Sequence, residues 1–182
     1  KVLGRQYHLI TRDDRLETVA QDIVRHFLGR GMLANAVGKA MVVSIDKATA
    51  LRMYDKVKKH WAEETARVQK EMGELAYQRR GGESTPEQAR RDLRVAELKQ
   101  RLEVLNGTDM ALIVSPGQNE IEQMKKLGLD IAPHRKRMNE SQPGLDEKFK
   151  DSEDPLHLVF VCAMWLTGFD APSCSTVYLD KP

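Results

Sequence analysis

"LHLVFVCAMWLTGFDAPSCSTVYLDKP" occupies residues 156–182. Leu156 to Met164 form a nearly unbroken apolar run, the pattern of a strand buried on both faces of a sheet. Ser175 to Asp180 read as a further strand. Between them, Gly168 marks either a turn or a place where backbone approaches a ligand closely. Asp170, set between Phe169 and Ala171-Pro172, suits both readings. Pro172 fixes the exit of the turn.

Two more runs resemble the first. Lys39 to Ile45 ("KAMVVSI") and Met110 to Ser115 ("MALIVS") are short and apolar, as buried parallel strands are. Helical patterns separate them. Residues 11–31 place Leu16, Val19, Ala20, Ile23, Val24, Phe27 and Leu28 on one face, with Asp13 or Asp14 as cap and Gly29 and Gly31 as terminators. Asp46 is placed to cap the helix after the first strand. Residues 119–128 read as a short helix capped by Asn119, and residues 145–151 as another. The basic, proline-broken stretch 129–144 reads as loop. Alternating strands and helices predict an α/β fold with a mostly parallel central sheet.

After Asp46 the helical pattern is unusually long. Tyr54, Trp61, Val68 and Leu75 recur every seven residues, with Val57, Thr65 and Met72 between them. This is a heptad-like seam. "RRGGESTP" interrupts it, and Thr85, Pro86 and Gln88 form the start signal of a second helix. Val95, Leu98, Leu102 and Leu105 continue its apolar face. Residues 47–105 therefore read as an antiparallel helical hairpin inserted in a single domain over 1–182, each arm on the order of 30 Å at ~1.5 Å per residue.

Composition narrows the function classes. A chain of 182 residues, 41% apolar and 31% charged, has the makings of one soluble domain with a real core. A net charge of +2 leaves any nucleic-acid contact to a local patch. No apolar run approaches a membrane span. Cys162 and Cys174 lack metal or disulfide-scaffold spacing, and are expected to be reduced in a cytoplasmic protein. Gly38-Lys39 enters a strand and lacks the upstream glycine of a phosphate loop. His134 lies in the basic run "HRKR", which reads as a solvated loop or as a phosphate contact.

In open α/β sheets ligands bind at the carboxyl ends of strands. Three such ends carry suitable groups: Ser44-Ile45-Asp46-Lys47, Ser115 to Asn119, and Thr167-Gly168-Phe169-Asp170. Hydroxyls and amides there hold phosphate oxygens in some proteins and merely cap helices in others.

The wording of the last stretch goes further. Thr167 to Pro172 ("TGFDAP") and Tyr178 to Pro182 ("YLDKP") resemble motif V and the following strand of superfamily 2 helicases. The resemblance is greatest to the motor subunit of type I restriction endonucleases. Gly38 to Val57 is similar to that family's motif IV strand and helix, and Ile113 to Glu120 to the strand between. The hairpin is where the chain departs from the pattern.

The resemblance implies the second RecA-like lobe of a double-stranded DNA translocase, with ATP held between two lobes. It implies that Asp170 reaches the ATP ribose and that Gly168 admits the nucleotide. Thr167 would couple that site to DNA, and Ser44, Lys47 and Ser115 would contact the DNA backbone. Mg2+ ligands and the phosphate loop would come from the first lobe. Motif VI, with its arginine fingers, is expected after Pro182, so the chain alone is expected to be inactive. Its expected companions are the first lobe and a nuclease domain in one parent chain, with methyltransferase and specificity subunits beside it. A lobe of another superfamily 2 repair helicase, or a non-catalytic module that binds protein through the hairpin, are the alternatives.

Overall fold

The computed structural model describes residues 2–33, 38–77, 86–162 and 170–181. In chain order the elements are α1 (Val2–Ile10), α2 (Asp13–Leu33), β1 (Lys39–Ser44), α3 (Lys47–Tyr77), α4 (Pro86–Gly107) and β2 (Asp109–Ile113). They are followed by α5 (Glu120–Lys126), α6 (Ala132–Glu140), α7 (Leu145–Lys150), β3 (Leu156–Val161) and β4 (Cys174–Asp180). The strands form one sheet in the order β2-β3-β1-β4, and every pairing is parallel. This is the predicted α/β class, consistent with a RecA-like lobe.

The apolar runs become strands because both faces of the sheet are covered. Ala40 and Val42 of β1 pack with Leu112 of β2 and Phe160 of β3 against the layer of α2, α3 and α4. Met41 and Val43 point the other way, into a second cluster with Leu145 and Phe149 of α7. A strand with helices on both sides must be apolar at every position, and β1 is buried throughout. Lys39, at its start, is 1% exposed. Its ammonium donates to the Lys148 carbonyl (2.7 Å) and lies over the Phe149 ring. Desolvation holds its pKa below the ordinary lysine value.

Helix α3 meets α4 along the expected seam. Trp61 and Val68 are buried against Leu98 and Leu105, with Tyr54, Met72, Leu75 and Leu102 at the margin. Trp61 Nε1 donates to the Leu105 carbonyl (2.9 Å). That carbonyl lies in the last turn of α4, where intrahelical partners run out. Thr85, the expected cap, lies outside the described residues.

Three sequence expectations are corrected, and α1 is an element for which the sequence carries no clear signal. Helix α2 runs through Gly29 and Gly31 instead of ending there. Glycine inside a helix costs about 1 kcal/mol, and neighbours offset it: Phe27 and Leu28 are buried, and Arg30 donates to Ser175 Oγ (2.6 Å) and to Thr176 of β4. The stretch read as loop contains α6. Pro133 sits in its first turn, where a missing N–H costs nothing. Asn119 precedes α5 in the left-handed region (φ 52°) and its side chain makes no cap bond. Cys162 and Cys174 are free thiols.

Replacing Trp61 by Phe leaves a buried terminal carbonyl without a donor and is expected to cost roughly 1–3 kcal/mol. Trp61→Ala adds a cavity and is expected to cost about 3–5 kcal/mol. Urea unfolding of the two variants reads both values. A second expectation concerns acid. Hydrogen bonds from Lys56, then Lys59, hold the Glu17 carboxyl at about 2, below its ordinary 4.5, and so tie α2 to α3. A folded value below the unfolded one gives stability that is complete above 4.5 and lost as pH falls towards 2. Glu17→Gln is expected to flatten that part of the acid limb in an unfolding-versus-pH series.

Candidate functional site

Parallel pairing brings the carboxyl ends of all the strands to one edge of the sheet. At the end of β1, Asp46 caps α3: its Oδ1 accepts the Thr49 N–H (2.7 Å) and its Oδ2 accepts the Tyr7 hydroxyl (2.5 Å). The bond to Asp46 raises the Tyr7 pKa. Ser44 is 1% exposed and lies in register with Asp180 of β4. Asp180 Oδ1 accepts from Arg15 Nη2 (2.6 Å), and Arg15 also donates to the Ile10 carbonyl (3.0 Å). One arginine of α2 thereby fastens α1 and β4 to this edge. Ser44 Oγ, Thr49 Oγ1 and Asp180 Oδ2 are buried and have no hydrogen-bond partner among the described residues.

The end of β2 is built differently. Ser115 to Asn119 are exposed, and Glu120, the first residue of α5, is buried. Arg135 of α6 lies beneath this loop. Its Nε and Nη2 donate to Glu120 Oε1 (2.6 Å) and Oε2 (3.0 Å). Its Nη1 and Nη2 donate to the carbonyls of Val114 and Ser115, both at 3.1 Å. Lys47, 26% exposed, places Nζ 4.0 Å from Glu120 Oε2. A Cβ on Gly117 would come within 3.2 Å of the same Nζ. The end of β3 closes on β1: Cys162 Sγ lies 3.8 Å from the Ile45 carbonyl.

Ser44, Lys47 and Ser115 are therefore gathered at one edge, but with different access. Ser115 is exposed and Lys47 partly so, whereas Ser44 is enclosed. Thr167 and Gly168 lie outside the described residues. Asp170 is exposed and has no hydrogen bond or ion pair among the described residues. The turn after it closes through Cys174 N–H to the Ala171 carbonyl (2.9 Å), and the Ser173 carbonyl accepts the Lys39 N–H (3.1 Å). Lys39 begins β1, so Asp170 approaches the amino edge of the sheet. Grouping it with the strand ends at Ser44 and Ser115 is corrected on that ground: a strand of six residues at ~3.3 Å each puts about 20 Å between the edges.

The basic run is also placed. His134 of α6 is half-buried, edge-on to Tyr54 at 4.6 Å between ring centroids, and desolvation lowers its pKa. Arg137 pairs with Asp109 and donates to the Met110 carbonyl (2.8 Å). The run is helical, with His134, Arg135 and Arg137 engaged by the fold and Lys136 exposed. Arg135, Glu120 and the Arg15–Asp180 pair are the groups that sequence reading missed. Arg135 and Glu120 stand fifteen positions apart, and no local pattern joins them.

Among known proteins, the profile of a family described as type I restriction enzyme subunit R domain 3 matches residues 37–182. The type I restriction enzyme HindI endonuclease subunit of Haemophilus influenzae is 66% identical over 38 residues, which are 21% of this chain and 4% of that protein. The putative type I restriction enzyme MjaIXP endonuclease subunit of Methanocaldococcus jannaschii is 26% identical over 182 residues, all of this chain and 12% of that protein. The putative MjaVIIP subunit of the same organism is 45% identical over 62 residues, 34% of this chain and 6% of that protein. The chain thus spans about an eighth or less of the curated relatives it matches. No solved structure matches it.

Ser44→Ala removes a buried hydroxyl that has no partner among the described residues. It is expected to leave stability unchanged or to raise it by up to about 1 kcal/mol. Urea unfolding measures this, and a clear loss of stability would mean that the hydroxyl is satisfied in solution.

Proposed function

We infer, because the chain belongs to the family of type I restriction enzyme subunit R domain 3, that it is the second RecA-like lobe of an ATP-dependent translocase on double-stranded DNA. In this reading α4 and the part of α3 beyond its first turn are an insertion outside the nucleotide and DNA contacts. The observation that carries the reading is the sheet itself. It is all parallel, with an uncommitted carboxylate near one edge and an outward lysine at the other.

The described residues fit a nucleotide at Asp170. Its carboxylate is exposed and free of ion pairs among the described residues, so it is available to accept from ribose hydroxyls, as the acid of a dinucleotide fold does. Gly168 is assigned the close backbone approach. ATP, bound between this lobe and the first, would supply the free energy of phosphoryl transfer, and Mg2+ is assigned to residues of the first lobe. Lys47 and Ser115 are assigned to phosphates of the DNA backbone, contacts that position without reading sequence. Ser44 is enclosed, so its assigned part is to back that edge, and Thr167 is assigned the coupling between the two contacts. The nuclease domain, the methyltransferase subunit and the specificity subunit belong to the assembled parent.

Two measurements test this. In the full-length parent subunit, Asp170→Ala is expected to lower DNA-stimulated ATPase on the order of tenfold or more, by loss of nucleotide positioning. Unchanged activity would remove Asp170 from the site. The 182-residue chain alone, given ATP, Mg2+ and duplex DNA, is expected to release no phosphate above background. Robust DNA-stimulated turnover by it would overturn the reading of a single lobe.

A further inference from the structure

The loop from Val114 to Asn119 faces solvent for most of its length, yet one side chain grips it at both ends. Arg135, with a side chain 15% exposed, donates to the carbonyls of Val114 and Ser115 where the loop leaves β2. The same guanidinium forks onto both oxygens of Glu120 where the loop enters α5. A planar fork makes these bonds together; the point charge of a lysine does not.

The fork also settles the charge of its neighbour. Both Glu120 oxygens are taken by Arg135, and Lys47 Nζ stands 4.0 Å away, beyond hydrogen-bond reach. Within this trio two cations face one carboxylate. The remaining positive charge is that of Lys47, which lies over Gly117, and a side chain at Gly117 would press on it.

We infer that Arg135 is a positioning residue for the DNA-facing edge. Through Glu120 and the two loop carbonyls it shapes residues 114–119 and leaves the Lys47 ammonium in only a long, 4.0 Å ion pair with Glu120, able to hydrogen-bond a backbone phosphate. This rests on the reading of Lys47 as a DNA contact. Charge counting and positioning give opposite signs for one substitution. Glu120→Gln removes a negative charge beside DNA, so charge alone tightens binding. It also sets an amide N–H against the guanidinium and breaks the fork, so positioning weakens binding.

The test measures KM for duplex DNA and kcat of the DNA-stimulated ATPase of the parent subunit. The variants are Lys47→Ala, Glu120→Gln, Arg135→Lys and the double variant Lys47→Ala/Glu120→Gln. Glu120→Gln and Arg135→Lys are each expected to raise KM roughly fivefold with kcat changed by less than about twofold. Glu120→Gln is expected to add little once Lys47 is Ala, a coupling that a merely structural role does not produce. A KM unchanged or lowered by Glu120→Gln overturns the inference, as does an equal rise in the Lys47→Ala background. If Glu120→Gln fails to fold, Arg135→Lys decides, and a wild-type KM there overturns the inference. If Lys47→Ala itself leaves KM unchanged, the DNA reading of Lys47 falls and this inference falls with it.

Discussion

Everything in this lobe hangs on β1, a strand hydrogen-bonded on both sides and covered on both faces. Its neighbours β3 and β4 run parallel to it, so the chain must return from one edge to the other before each strand. That requirement places helices on both faces and leaves no interior position for polar chemistry. Polar groups collect where the strand stops. Lys39 at its start and Ser44 at its end are both enclosed, and each is handled differently. Lys39 finds a helix-end carbonyl and an aromatic ring. Ser44 lies beside Asp180, and neither the serine hydroxyl nor the second oxygen of the aspartate has a partner among the described residues.

The consequence for function is a separation of about 20 Å between two polar edges joined by a stiff sheet. The carboxyl edge holds Lys47 and the Arg135–Glu120 loop. The amino edge receives the Asp170 turn through Lys39 and Ser173. Close-packed interiors do not deform gradually, so a load applied at one edge moves the lobe as a body. On the proposed reading, nucleotide and DNA contacts at opposite edges of one sheet would need no internal joint in this lobe.

Much of this architecture was legible in the sequence, and the exceptions have physical reasons. Buried parallel strands announce themselves as apolar runs, and β1, β2 and β3 did so. Asp46 acts as the cap its position suggested. Helix α6 was hidden because Pro133 and a basic composition signal loop when neighbours are unknown, whereas Arg135 and Arg137 spend their charge inside the fold. Gly29 and Gly31 signal a helix end, yet Arg30, anchored on β4, holds the helix across them. The two edges were merged because a strand's end is visible in sequence while the path of the chain after it is not. The family resemblance came from the wording of residues 167–182, which composition and periodicity do not convey.

The hairpin shows why counting basic residues misleads. Arg67 is forked onto Glu64 and reaches Glu71; Arg94 bridges Glu71 and Glu97; Arg101 returns to Glu64. The more exposed of these pairs contribute at most about 1 kcal/mol each, so the packing of Trp61, Val68, Leu98 and Leu105 does most to hold the arms together. Paired guanidiniums have little left to offer a phosphate. Lys47 differs because the carboxylate nearest to it is already committed to Arg135. Which cation is left without a hydrogen-bonded carboxylate is therefore decided by tertiary contacts, here those of α6.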